Sequence, residues 1–339
     1  MKFTIIGAGN GGLAFSAKLK ERGHTVNLYD KFKEVIDPII LNNNIITYNN
    51  IDYIIDLVTD NLQVALEGSE YIFIITPSFA HKDLSKEVVK YIDSQTIVLH
   101  PGRTGGAIQF KRVFELYDKN NIIGETETLL FACRKEAPTE ITIYGTKKSV
   151  GLATIPKEKA PQVVKDLNSI LPYFVVYNNV LVTSFSNIGA MLHPTLFLFN
   201  LSRIDNADSY NFYQEGISPS IAKFIEKLDY ERLLISKAYD IDVIGVYEWL
   251  EDKYGRDDTE LYDRIRYNTE YQDIVAPESI NSRYILEDIP MSLVPLYYLA
   301  RRKNINVPTM ELVINLASSI YNQNFLETGR RICNIQQYS

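Results

Sequence analysis

Cysteine is nearly absent: the 339-residue chain has two, Cys133 and Cys333. Two thiols cannot build a disulfide framework, and these two lack metal-ligand spacing, so a reducing compartment and no metal centre are expected. Positive charge is not in excess either. Thirty-five Lys and Arg against 42 Asp and Glu leave a net charge of -7, and no long basic run occurs, which gives no support for nucleic-acid binding. No apolar run is seen to approach the roughly 18 residues that span a bilayer. The first apolar stretch is broken by Gly and Asn and followed by Lys18-Leu19-Lys20-Glu21-Arg22, unlike a signal peptide. The expected setting is cytoplasmic, with no membrane partner. Internal repeats and low-complexity segments are also missing, and 46% hydrophobic content suits a sizeable core in one large domain or two.

What is present begins at the first residues. Lys2-Phe3-Thr4-Ile5-Ile6 reads as a strand that empties into Gly7-Ala8-Gly9-Asn10-Gly11-Gly12. Gly7, Gly9 and Gly12 fit Gly-x-Gly-x-x-Gly. The first allows a tight turn, the second a close approach of backbone to pyrophosphate, and the third close helix–strand packing. The following helix presents its N-terminus to negative charge. Leu13, Phe15, Ala17 and Leu19 give that helix its apolar side, Gly23 ends it, and Val26 and Leu28 alternate into a second strand finishing at Asp30. Asp30 stands at about the 20-residue spacing where a carboxylate takes the adenine-ribose hydroxyls. A strand–Gly-rich turn–helix context makes the motif specific for a nicotinamide dinucleotide, where isolated glycines would read as a surface turn. Asp30 favours NAD by repelling a 2′-phosphate. Lys31 and Lys33 follow it and can partly compensate, so NADP stays open.

Two halves have different rhythms. Tyr71–Ile75 and Thr96–Leu99 are short apolar runs, as in strands buried on both faces, with a helix predicted over Asp83–Tyr91 and a further strand at Asn121–Gly124. Glu140 to Pro156 reads as a polar/apolar hairpin. Beyond about Val180 helical signals take over. Ser218-Pro219 is an N-cap followed by Pro at the first helical position, and Met291–Arg301 and Met310–Tyr321 are amphipathic. The predicted architecture is α/β: an N-terminal Rossmann doubly wound parallel sheet over residues 1–180 and an all-helical substrate domain over 181–339, with the ligand cleft between them. The apolar faces of the helical half either pack internally or form a homodimer interface.

Hydride transfer to a carbon bearing oxygen or nitrogen needs a group that moves a proton, and histidine is the usual one. His24 lies at the wrong end of the sheet. His81 and His100 follow strand C-termini, and His193 is a polar spot in the apolar stretch Ser186–Pro194. Spacing does not choose among these three, and each also reads as a satisfied structural histidine. Arg283, Glu287 and Asp288 crowd the approach to an apolar helix. Arg is the natural fork for a carboxylate and an acid can orient a histidine, while a solvated helix start gives the same pattern. Glu125-Thr126-Glu127-Thr128 is a third polar spot, which also reads as a solvated strand end.

Taken together, GAGNGG, His100-Pro-Gly-Arg-Thr-Gly-Gly, Glu127-Thr-Leu-Leu-Phe-Ala-Cys-Arg134, Asn187–Pro194, Arg283–Pro290 and Gly329-Arg330 resemble the opine dehydrogenase family, the octopine/nopaline dehydrogenase group, over nearly the whole chain. The resemblance implies that an amino acid and a 2-oxo acid such as pyruvate condense and that NAD(P)H reduces the imine to a secondary-amine dicarboxylate. It places His193 at the family's catalytic histidine and Asp288 at its paired acid. It places Arg283 at a substrate-carboxylate arginine and Glu127 at an acid that contacts the amino acid. Leu129-Leu130 and Gly189 depart from some members, which bears on the choice of amino acid. A ketopantoate- or glycerol-phosphate-type reductase is the nearest rival, but such enzymes rely on a lysine in the helical domain. The matching stretch Asn187–Asn200 holds His193 and no lysine. A non-catalytic dinucleotide sensor is the remaining alternative.

Overall fold

The computed structural model describes residues 1–272, 274–332 and 335–338, so Cys333 lies outside the described residues while Cys133 is half-buried. Two compact units form. The first comprises Met1–Ser184 together with the terminal turn Ile335–Tyr338, and the second begins at Phe185. The turn returns to the first unit through the Tyr338 hydroxyl, which donates to Glu115 Oε2 at 2.7 Å.

The first unit holds twelve strands among its described residues: β1 (Lys2–Ile6), β2 (Thr25–Tyr29), β3 (Ile45–Tyr48), β4 (Ile51–Ile54), β5 (Leu57–Thr59), β6 (Tyr71–Ile74), β7 (Thr96–Leu99), β8 (Ile123–Thr126), β9 (Phe131–Ala137), β10 (Glu140–Thr146), β11 (Val150–Ile155) and β12 (Phe174–Val176). The main sheet runs β12-β11-β8-β7-β6-β1-β2-β5, and from β8 to β5 every pairing is parallel. The order reverses at β1, which is the switch point of a doubly wound sheet. β6, β7 and β8 are buried at every position, as parallel strands covered on both faces must be. β11 joins antiparallel to β8.

The predicted 140–156 hairpin is not formed. β10 pairs with β9 and β3 in a separate sheet of order β4-β3-β10-β9, whereas β11 lies in the main sheet. Burial explains the separation: β10 alternates toward solvent, while all six residues of β11 are buried. The helix Asn10–Glu21 packs against both sheets, its Phe15 ring lying 4.8 Å from Phe73 of β6 and 5.4 Å from Phe131 of β9. Hence most of its positions are buried, not a single stripe.

The second unit is helical, built on Gly189–Phe199, Pro219–Ala238, Val294–Arg302 and Pro308–Tyr321 with shorter helices between. Ser218 caps its helix by accepting from Ile221 N. Two charged groups on Pro219–Ala238 tie the unit together. Arg232, fully buried, donates to Asp229 Oδ1 and to the carbonyls of Phe185 and Ile244. Glu231 accepts from Thr309 N and Met310 N, a carboxylate placed on the N-terminus of Pro308–Tyr321. The Met291–Arg301 prediction is modified: one turn of π-helix, Ile289–Leu293, precedes Val294–Arg302. The stretch Val180–Phe199, with mean hydropathy 1.2, is long and apolar enough to cross a membrane by length and composition. Polar Thr183, Ser184, Ser186 and Asn187 hide this in the sequence, and 78% of the window is buried in the protein.

Candidate active site

In the first unit the glycine-rich turn leaves β1 as predicted. Gly7 has φ 109°, and a Cβ there would lie 2.5 Å from the Ile75 carbonyl oxygen. A Cβ on Gly12 would collide with the Gly7 carbonyl, which is the close helix–strand approach in atomic terms. Gly9 faces open space, so nothing in the chain prevents a ligand phosphate from reaching its backbone. Asn10 opens the helix and its Oδ1 accepts from Lys135 N at 3.2 Å. Asp30 holds the turn from β2: Oδ2 accepts from Ala8 N at 2.8 Å and Oδ1 from Phe32 N at 3.1 Å. A cavity of about 1040 Å³, lined among others by Gly7, Gly9, Asp30, Asp60, Asn61 and Thr76, opens at the carboxyl ends of β1, β2, β5 and β6. Its size and the bare turn fit a dinucleotide. Of the two lysines beside Asp30, Lys33 pairs with Asp60 at 3.5 Å and Lys31 lies over the Phe32 ring at 4.6 Å.

The first unit also explains the other motifs. His100 is buried, its Nε2 accepting from Leu130 N at 2.9 Å, so Nδ1 carries the proton and meets Thr126 Oγ1 at 2.7 Å. Desolvation, with a smaller push from Lys147, depresses this imidazole to about 3. His81 is likewise wholly buried. His24 lies 3.3 Å from the N-terminal amine. Glu125, fully buried, accepts from Ala107 N, Thr183 Oγ1 and Ser184 Oγ, and a Cβ on Gly102 would occupy its carboxylate's place. The His100–Gly106 motif is therefore the seat of a buried carboxylate under the helix Gly106–Glu115. Glu127 is also buried: Oε1 accepts from Gly151 N at 2.9 Å and Oε2 from the Tyr177 hydroxyl at 3.1 Å.

The second unit brings His193 and Asp288 together across 95 residues of chain. His193 projects from Gly189–Phe199, and Asp288, with no exposed surface, stands where Arg283–Leu286 passes into the π-turn. Nδ1 and Asp288 Oδ2 are 2.8 Å apart. A carboxylate only accepts, so Nδ1 carries the proton and a neutral ring keeps its lone pair at Nε2. Tyr213 meets Nε2 with its hydroxyl at 2.9 Å, and the Tyr284 ring stacks on the imidazole at 4.4 Å. Room for the ring comes from Gly189, whose added Cβ would lie 2.9 Å from His193 Cε1. The π-turn is anchored by Arg330 N, which donates to the Pro290 carbonyl at 2.8 Å, and Gly329 is packed against Val294. Arg283 is exposed on the same short helix, and its guanidinium makes no ion pair among the described residues. A base with an oriented tautomer beside an available arginine is equipped to move a proton on a carboxylate-bearing substrate.

Comparison with known proteins identifies the family. Residues 176–321 match the NAD/NADP octopine/nopaline dehydrogenase alpha-helical domain, and residues 2–107 match the N-terminus of NAD-dependent glycerol-3-phosphate dehydrogenase. An opine dehydrogenase from Arthrobacter sp. (strain 1C) is 34% identical over 97% of this chain and 93% of its own length. The chain belongs to the opine dehydrogenase family. Members of that family are NAD(P)-dependent oxidoreductases acting on the CH–NH bond of secondary amines. Two solved folds are close. An octopine dehydrogenase in complex with NADH and agmatine has a TM-score of 0.83 at 20% identity, covering 100% of this chain and 96% of that one. An NADP+-bound yersinopine dehydrogenase has a TM-score of 0.81 at 13% identity, covering 96% and 92%.

Of the residues singled out in the sequence, His193, Asp288 and Arg283 fall in the second unit and Gly7, Gly9, Asn10, Gly12 and Asp30 in the first. Glu127 is also in the first unit, with both oxygens held by protein donors. Sequence reasoning missed Tyr284 and Tyr213. Tyr284 sits inside the Arg283–Pro290 segment and was available there. Tyr213 is one of 23 tyrosines and carries no local signal.

Proposed function

We propose that the protein joins the amine of an amino acid to a 2-oxo acid such as pyruvate and reduces the product to an N-(carboxyalkyl)amino acid, with His193 as general acid/base. The observation that carries this reading is the pair of buried Asp288 and half-buried His193, 2.8 Å between Oδ2 and Nδ1, with Arg283 on the adjoining helix. His193 Nε2 takes a proton from the substrate ammonium, freeing the amine to attack the oxo carbon. The imidazolium returns a proton to the carbinolamine hydroxyl, which leaves as water and yields the protonated imine. Asp288 holds the ring's tautomer and balances the imidazolium charge. Arg283 holds a substrate carboxylate. Gly7, Gly9, Gly12 and Asp30 would hold NAD(P)H, which would supply the hydride when bound.

Small-molecule amino and oxo acids as partners, and a cytoplasmic setting, are part of the same proposal. The match of residues 2–107 to glycerol-3-phosphate dehydrogenase covers only the dinucleotide-binding part and leaves one rival to test, a reductase that needs no amine. One assay separates them: NADH oxidation measured with an amine, with a 2-oxo acid, and with both, across a matrix of amino acids against pyruvate, glyoxylate and 2-oxoglutarate. Turnover only with both substrates is expected, and His193→Ala should lower it by roughly 10²–10⁴-fold with cofactor binding intact. Full turnover without an amine would favour the rival.

A further inference from the structure

We propose that Tyr213 is a positioning residue for His193, fixing the plane of the imidazole through its hydroxyl on Nε2. This rests on the reading of His193 as the acid/base, and it adds a third member to the Asp288–His193 pair. The phenol oxygen lies 2.9 Å from Nε2, at the opposite edge of the ring from the 2.8 Å contact with Asp288. With the proton on Nδ1, the Nε2 lone pair accepts the phenol O–H. When Nε2 is protonated, the same hydroxyl oxygen accepts from it, because a phenol serves in both senses.

The phenol is suited to that task. Burial, followed by the nearby Tyr284, Tyr254 and Asp288, raises its pKa well above the ordinary value of 10, so it stays protonated and remains a donor. Its ring is held on several sides. It stacks on Tyr271 at 4.1 Å and meets the edge of Phe212 at 5.1 Å. Phe212 N donates to the Ile274 carbonyl at 2.7 Å and Ala276 N to the Tyr210 carbonyl at 2.9 Å, which pins the backbone around it. Tyr284 covers one face of the imidazole, so Asp288 and Tyr213 at its two edges define its remaining rotation about Cβ–Cγ. A single contact at Nδ1 would leave the Nε2 edge without a fixed partner. Two opposed contacts leave Nε2 aimed along one line, which the substrate proton meets by replacing the phenol.

Tyr213→Phe tests this, because it keeps the stacked ring and removes only the hydroxyl. The expected result is a fall in kcat of roughly 10–100-fold, the scale of a misaimed catalytic group. KM for amine and oxo acid should change by less than about twofold. The spectroscopic signature is the ¹⁵N shift pair of His193 at a pH where the ring is neutral: the Nδ1–H form set by Asp288 persists in both proteins, and loss of the phenol hydrogen bond moves the Nε2 resonance in the variant. His193→Ala, run alongside, keeps the two claims apart. If it retains turnover, the acid/base reading itself fails. If it is inactive while Tyr213→Phe keeps wild-type kcat and an unmoved Nε2 resonance, the positioning role is overturned.

Discussion

Gly189→Ala places one methyl group where the imidazole of His193 now lies. The added Cβ would stand 2.9 Å from Cε1, 3.3 Å from Nδ1 and 3.6 Å from Asn187 Oδ1. Carbon atoms settle near 3.5–4.0 Å, so the ring must withdraw by about 0.6 Å or more. It has nowhere to go without lengthening the 2.8 Å bond to Asp288 or the 2.9 Å bond to Tyr213, or pressing on Tyr284 at 4.4 Å. Displacements of this order in a catalytic group cost on the order of 10²-fold in rate. Stability falls only modestly. Gly189 opens a helix with ordinary φ, and alanine there gains up to about 1 kcal/mol, offset by about 1–3 kcal/mol of crowding. Tm should therefore shift by only a few degrees. Steady-state NADH oxidation with both substrates saturating, together with a melting curve and a cofactor titration, measures all three quantities. Wild-type kcat in a folded Gly189→Ala would refute the reasoning, since it would mean that the ring's position is immaterial to turnover.

Arg283→Ala should raise KM for a carboxylate substrate by roughly 10–100-fold, the worth of a charge-assisted hydrogen bond, while an unchanged KM removes Arg283 from the site. Wild-type protein should oxidise NADH faster than NADPH, because Lys33 is paired with Asp60 and Lys31 with the Phe32 ring. Asp30→Asn should narrow that preference and raise KM for NADH, having weakened the hold on Ala8 N; equal rates with both cofactors in the wild type would discard the argument. His100 has a folded-state pKa of about 3 against an ordinary 6.5, so the unfolded chain binds the extra proton between those values. Its contribution to stability is complete above pH 6.5 and falls as pH drops toward 3, by about 1.4 kcal/mol per pH unit at most. Urea titrations over that window should show a shallower pH slope in His100→Gln, and parallel slopes would contradict this.

The parts of this protein that are legible in its sequence are those enforced by local backbone geometry. Gly7 and Gly12 sit where a Cβ would collide with neighbouring carbonyls, so the nucleotide turn is written in six consecutive residues. The buried strands of the main sheet read as apolar runs because parallel strands are covered on both sides. The error at residues 140–156 has the same root. Period-two alternation shows that β10 is half-exposed but not which strand it joins, and its partner β3 lies about a hundred residues earlier in the chain. The histidines mark the limit. His100 follows a strand C-terminus, as a catalytic residue would, yet both ring nitrogens are consumed inside the core. His193 stands in an apolar helix, as a structural residue would, yet it is held by a carboxylate 95 positions away and a phenol 20 away. Residue type and spacing cannot tell these two apart, because the difference lies in which long-range partners meet each ring nitrogen. An opposed acceptor and donor, with space left by a glycine one helical turn earlier, hold the imidazole that we propose as the base. Only the family's motif order pointed to His193 before that arrangement was visible.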